Sequence, residues 1–204
     1  LVNQKGGVGK TTTAVSLAVA LGRKGQRVLL VDLDPQANAT SALGVDGKDV
    51  AGTYDAILDG MPMADCVVAV EAECISVVPS SAELSGAEVE LVPVMARERR
   101  LTAALDQVRD SYDWILIDCP PSLGLLTINA LTAVHGCPNG ALLEPGAASL
   151  DFAALCTETA MVLEALGQHE IAAELPATAA EVARRTAANR SSMLQDVEAR
   201  RRTE

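Results

Sequence analysis

Asn3-Gln4-Lys5-Gly6-Gly7-Val8-Gly9-Lys10-Thr11-Thr12 is a glycine-rich turn that runs straight into an apolar-periodic stretch, and its reading decides the fold. Gly6, Gly7 and Gly9 let consecutive backbone N–H groups curl inward without a Cβ clash, and the N-terminus of the following helix adds partial positive charge. This is the chemistry of a phosphate cradle. In such a cradle Lys10 reaches the β- and γ-phosphates and the Thr11 hydroxyl holds Mg²⁺. The general phosphate-loop pattern places a glycine five residues before Gly9, where this chain has Gln4, and it carries an additional lysine, Lys5, ahead of the glycines.

Outward from the turn, Ala14, Leu17, Ala18 and Leu21 form an i, i+3, i+4, i+7 stripe, which predicts a helix from about Thr11 to Lys24 with Gly25 as its stop. Arg27-Val28-Leu29-Leu30-Val31-Asp32 is a continuous apolar run of the kind found in parallel strands buried on both faces. The strand-loop-helix-strand order then implies a right-handed crossover. Residue 1 falls inside the expected first strand, so that strand is expected to be clipped.

Asp32-Leu33-Asp34-Pro35-Gln36-Ala37-Asn38-Ala39-Thr40 follows, with two carboxylates at the carboxyl end of a central strand, where open α/β sheets place ligands. An Asx-type loop cap before a proline turn is the competing structural reading. Should residue 37 need a positive φ, an alanine there strains the loop by about 1 kcal/mol or more. Further on, Tyr112-Asp113-Trp114-Ile115-Leu116-Ile117-Asp118-Cys119-Pro120-Pro121-Ser122 is a buried apolar strand ending in an acid. A carboxylate at that tip can hold the shell of a Mg²⁺ ion, and the double proline stiffens the segment beyond it.

Lys5-Gly6-Gly7-Val8-Gly9-Lys10-Thr11-Thr12 resembles the deviant Walker A motif of the ParA/MinD group of P-loop ATPases, and the flanking Asn3-Gln4 resembles the ParA/Soj partition branch. The 32–40 stretch is similar to that branch's D-x-D-P-Q-G-N-A-T, with Ala37 where glycine is usual; Asp118 stands where Walker B ends; Leu84 to Leu91 is similar to its L-A-G-A-E-x-E-L. The resemblance covers about the first two thirds of the chain and decays beyond Ala133. It implies an α/β fold, a doubly wound, mainly parallel sheet flanked by helices. It also implies Mg²⁺-dependent ATP hydrolysis coupled to ATP-dependent homodimerisation. In that scheme Lys5 to Thr12 bind nucleotide, Lys5 crosses to the partner's phosphates, Asp34 orients the attacking water, and Thr11, Asp34 and Asp118 manage Mg²⁺, while Asp32 orders the loop. The partners implied are a second copy, non-specific DNA and a ParB-like centromere-binding protein, with no membrane.

The chain has 204 residues, 49% of them apolar, which suits one sizeable core, and the expectation is a single P-loop ATPase domain over 1–204, family-like to 133 and divergent and mostly helical from 134 to 204. No apolar run reaches the roughly 18 residues of a membrane span, so a cytoplasmic, nucleoid-associated protein is expected. The five cysteines have no C-x-x-C spacing, which points to neither zinc nor disulfides. His135 and His169 lack metal-ligand spacing.

A net charge of -11 confines any DNA contact to a local patch. Asn189 to Val197 faintly resembles the family's D-x-R-T-x-L-x-x-x-V, making Arg190 the candidate contact, with a solvated helix as the equal alternative. Arg97-Glu98-Arg99-Arg100 opens another expected helix, to about Arg109, and reads as a solvated face or the border of a DNA-facing one.

Val45 to Cys74 is mixed, with a helix near Tyr54 to Leu58; Ile75 to Pro79 reads as a strand and Ser80 to Val92 as a helix. Ala141 to Pro145 reads as a displaced strand remnant, Leu150 to Leu166 as an amphipathic helix, and Ile171 to Glu204 as helical apart from Pro176. The family's late P-R-N/x-x-x-x-E segment does not occur, so base recognition is expected to be weak and ATP poorly distinguished from GTP.

Other classes remain open. A MinD-like positioning ATPase wants large apolar residues on a C-terminal amphipathic helix, which Val197 to Arg202 lacks, and nitrogenase-iron-protein-like chemistry wants cluster cysteines, for which Cys119 alone is insufficient. A shortened or degenerate paralogue that binds nucleotide without turnover is the alternative outside enzymes.

Overall fold

The computed structural model describes residues 9–135 together with 160, 164, 169–175 and 177. The expected first strand, Lys5 to Val8, the 141–145 remnant, Arg190 and most of the expected C-terminal helices lie outside the described residues.

Helix α1 spans Lys10–Arg23, one residue earlier than its apolar stripe suggests, because Gly9 takes a left-handed conformation (φ 84°) and starts the helix at once. Its end is a glycine stop: Gly25 has φ 81°, its N–H donates to the Gly22 carbonyl (2.9 Å) and the Gln26 N–H to Leu21 (3.1 Å). Strand β1, Val28–Asp32, is buried along its whole length and lies between two parallel neighbours. These are β3 (Ile75–Val78), which meets β1 through Leu30 and Val77, and β4 (Trp114–Asp118), which meets it from Val28/Trp114 to Asp32/Asp118. A three-residue antiparallel strand, β2 (Val68–Val70), edges the sheet on β3, so the order is β2-β3-β1-β4.

The sheet is covered on both faces, and the two-residue period of its strands assigns the cover. Val28 and Leu30 of β1, Val77 of β3 and Trp114 and Leu116 of β4 pack with α1. Leu29, Val31, Val78, Ile115 and Ile117 face the opposite layer. That layer contains α3 (Leu84–Glu90), α4 (Arg100–Leu105), α5 (Leu125–His135) and a π-helical turn, Asp55–Asp59. A doubly wound, mainly parallel α/β sheet is therefore the fold, as expected from the sequence.

Two expected helices differ from expectation. Helix α3 begins at Leu84 rather than Ser80, because the Ser80 hydroxyl and N–H are committed to hydrogen bonds with the 32–40 loop. The expected helix from Arg97 to Arg109 is broken into a 3₁₀ turn (Arg97–Arg99), α4 and a second 3₁₀ turn (Arg109–Ser111). Within it Arg100 is not on a solvated face: its guanidinium donates to the carbonyls of Ile57 (2.7 Å) and Leu58 (3.3 Å), closing the π-helical turn. Among residues 169–175, Ile171, Ala172 and Leu175 are buried in the core on the α1 side, and Lys24 pairs with Glu174 at 2.6 Å. No helix among the described residues is long and apolar enough to cross a membrane.

Candidate functional site

The site grows from the carboxyl ends of two neighbouring strands. Parallel register sets Asp32 at the end of β1 beside Asp118 at the end of β4, and both side chains are fully buried. Two buried carboxylates so placed cost free energy unless each finds donors or a cation, and the two are treated differently.

Asp32 is satisfied by its own loop. Its carboxylate accepts from the Asp34 N–H (3.1 Å), the Thr40 N–H (2.9 Å) and the Thr40 hydroxyl (2.7 Å). Burial and then the neighbouring Asp118 push its pKa up to about 7, against the pull of those hydrogen bonds. It thus orders the loop.

Asp118 is left open. Neither carboxylate oxygen accepts a hydrogen bond among the described residues. Burial raises its pKa, while the Thr11 side chain close by and the Lys10 charge favour its ionised form. A carboxylate nine-tenths buried with both oxygens orphaned, next to a threonine and a lysine at a helix N-terminus, suits a hydrated divalent cation whose remaining ligands come from water and phosphate. Among the described residues no group of three or more His, Cys, Asp or Glu could hold a metal ion by itself.

Lys10 is buried at the start of α1, and Thr11 and Thr12 are half-buried in its first turn. Asp34 lies near the same point: its charge is one of those acting on Asp118, it is 6% exposed, and its carboxylate accepts the Gln36 N–H at 2.9 Å. The turn after it closes through Ala37 N–H to the Asp34 carbonyl (2.9 Å), and Ala37 sits in the left-handed region (φ 51°, ψ 35°) at the start of α2, Asn38–Ala42. The structure therefore brings together Gly9, Lys10, Thr11, Thr12, Asp34 and Asp118.

Residues that the sequence reading passed over complete the surroundings. The Thr53 hydroxyl donates to the Asp32 carbonyl (2.7 Å), and Ser80 bonds both Thr40 and Asp34. Their one sequence signal is small polar residues at, or packed on, the carboxyl ends of strands. Of the cysteines described, Cys66 and Cys119 are buried with thiols pushed up to about 11 by burial, whereas Cys74 is exposed; all three are free.

Lys10 and Thr11 at the start of α1, following the glycine-rich sequence of residues 5–9 and set beside carboxylates at the ends of β1 and β4, define the P-loop nucleotide-binding class. The chain belongs to the family described as AAA domain, whose model matches residues 1–136. Within that range it is 56% identical over 134 residues to the sporulation initiation inhibitor protein Soj of Bacillus subtilis (65% of this chain, 53% of Soj). It is 53% identical over 132 residues to the chromosome partitioning protein ParA of Myxococcus xanthus (64% of this chain, 47% of that one). The ParA/Soj resemblance is thus shown by comparison, and the chain spans about half the length of these curated relatives.

Among solved structures, a cobyrinic acid a,c-diamide synthase from Mycobacterium smegmatis with bound ADP and magnesium superposes with a TM-score of 0.63 at 43% identity, covering 66% of this chain and 55% of that one. A second family model, described as ketopantoate reductase PanE/ApbA C terminal, matches residues 122–204. The loss of ParA-like sequence after Ala133 coincides with that second similarity, and Arg190 lies inside it.

Proposed function

We propose that this chain is a Mg²⁺-dependent ATP hydrolase of the partition type. The observation that carries the reading is the buried Asp118 carboxylate with two orphaned oxygens beside Lys10 and Thr11 at the start of α1. The relatives named Soj and ParA, and the neighbour holding ADP and magnesium, support it.

Lys10 and the loop amides from Lys5 to Gly9 bind the phosphates. Thr11, Asp34 and Asp118 would hold the ion. The ion, when bound, neutralises charge on the β- and γ-phosphates. Asp34 orients the attacking water, and Lys5 crosses to the nucleotide of a second copy, so that dimerisation follows ATP binding. The dimer grips DNA without sequence preference and answers to a ParB-like partner, which places the protein in the cytoplasm at the nucleoid.

Nucleotide titration beside sedimentation tests the two lysines. Lys10→Ala abolishes ATP binding; Lys5→Ala keeps binding and loses ATP-dependent dimerisation. Equal loss of binding in both removes the trans role of Lys5. Arg190 is the proposed DNA contact, and Arg190→Ala flattens the salt dependence of DNA binding if it touches phosphate; an unchanged slope assigns it to a solvated helix.

A second reading, nucleotide binding without turnover, is favoured by one observation: residues 122–204 match a model from another family. Steady-state phosphate release with and without DNA separates the two.

A further inference from the structure

The buried polar groups behind the site form a closed ring of hydrogen bonds that joins two loops. The Asp34 N–H donates to the Asp32 carboxylate (3.1 Å), and the Thr40 hydroxyl donates to the same carboxylate (2.7 Å). The Thr40 oxygen in turn accepts the Ser80 N–H (2.9 Å), and the Ser80 hydroxyl donates to the Asp34 carbonyl (2.7 Å). Asp32, Thr40 and Ser80 are at most 1% exposed and Asp34 6%.

We infer that Thr40 and Ser80 are positioning residues that fix the backbone of Asp34 from both sides and so aim its carboxylate. The inference rests on the hydrolase reading proposed above. Residue 34 is held at its N–H by Asp32 and at its carbonyl by Ser80, so its side chain has little backbone freedom with which to swing. The ring also has almost no room to relax. A Cβ at Gly47 would lie 2.1 Å from the Ser80 carbonyl, and one at Gly52 2.3 Å from that of Pro79, so the 44–53 loop presses on the strand end that carries Ser80. Thr53 adds a further tie, donating to the Asp32 carbonyl. Ser80 follows β3 whereas Asp34 follows β1, so the orientation of the water-binding carboxylate depends on how two strand ends meet and not on its own loop alone. Misplacement of a reacting group by about 1 Å can cost on the order of 100-fold in rate, while phosphate contacts made by Lys10 and the loop amides lie elsewhere and are spared.

The test is a parallel measurement of kcat and ATP affinity in the full chain and in Ser80→Ala, Thr40→Val, Thr40→Ser, Asp34→Ala and the double variant Ser80→Ala/Asp34→Ala. Ser80→Ala and Thr40→Val are expected to lower kcat on the order of 10-fold with ATP affinity within about 3-fold of the parent, and Thr40→Ser to restore the rate. Because Ser80 acts through Asp34, the double variant is expected to be no slower than Asp34→Ala alone. Parental kcat in Ser80→Ala alongside a crippled Asp34→Ala overturns this inference and leaves the hydrolase reading standing. A double variant slowed by the product of the two single effects likewise overturns it. Parental turnover in Asp34→Ala, or none in the parent chain, overturns the hydrolase reading and this inference with it.

Discussion

Ala37 is held at φ 51°, a conformation that costs a residue with a Cβ roughly 1–2 kcal/mol relative to glycine. The turn demands it, since the Ala37 N–H closes on the Asp34 carbonyl and the same residue starts α2. Ala37→Gly is therefore expected to stabilise the protein by about 1 kcal/mol in urea unfolding, after glycine's larger unfolded-state entropy is subtracted. An unchanged or lower midpoint contradicts a strained alanine. At this scale much was legible: a loop-ordering Asp32 and the strain at residue 37 follow from residue type and place in the motif. Ser80 was not legible, because a serine after a strand reads as a helix start, and only the fold brings it to a loop 46 residues away in sequence.

Among the elements, the segment 169–175 has the least expected role. Ile171, Ala172 and Leu175 bury themselves against the α1 side of the core, and Glu174 meets Lys24. These residues lie within the stretch similar to the reductase C-terminal model, yet they cover a face of the four-stranded sheet. Leu175→Ala, at a position 1% exposed, is expected to cost about 2–5 kcal/mol in urea unfolding; a loss under about 1 kcal/mol would show that this helix does not belong to the same cooperative core.

Strand β1 was readable because burial on both faces leaves a continuous hydrophobic run, and β4 was readable from its apolar run ending in an acid, although Trp114, Ile115 and Leu116 are only half-buried. Strand β2 was not, being three residues at an edge with only Val70 buried. Nor was the role of Arg100, since a charged run carries no sign of which member will cap a distant π-helical turn.

For the whole molecule, the two buried acids set the pH response. Burial raises the pKa of Asp32 and Asp118 above the ordinary carboxylate range, so the folded chain binds more protons than the unfolded one between about pH 4 and pH 7. Folding stability accordingly falls as pH rises through that window, and the net charge of -11 pushes the same way. Asp113 acts in the opposite sense: hydrogen bonds from Arg27 lower its pKa, so its contribution is lost only as pH falls below about 4. The nucleotide-free protein is expected to have a lower urea midpoint at about pH 7.5 than at about pH 5, with Mg²⁺ and ATP narrowing the gap by satisfying Asp118. A midpoint that climbs steadily over this range contradicts the burial of ionisable acids at the site.

The proposed pocket also predicts how the base is read. If the 134–204 region supplies no adenine contacts, ATP and GTP compete nearly equally, because each buried hydrogen bond missing from such a pocket removes on the order of 1–3 kcal/mol of discrimination. A strong ATP preference in competition titrations would assign adenine recognition to that region.

The central claim is that Lys10, Thr11 and Asp118 form a working Mg²⁺–ATP site. Its most direct test is steady-state phosphate release by the full chain, with DNA present, with Mg²⁺ supplied or chelated, in parallel with Lys10→Ala. The account predicts release that requires both Mg²⁺ and Lys10; release indifferent to either one, or ATP bound without any release, contradicts it.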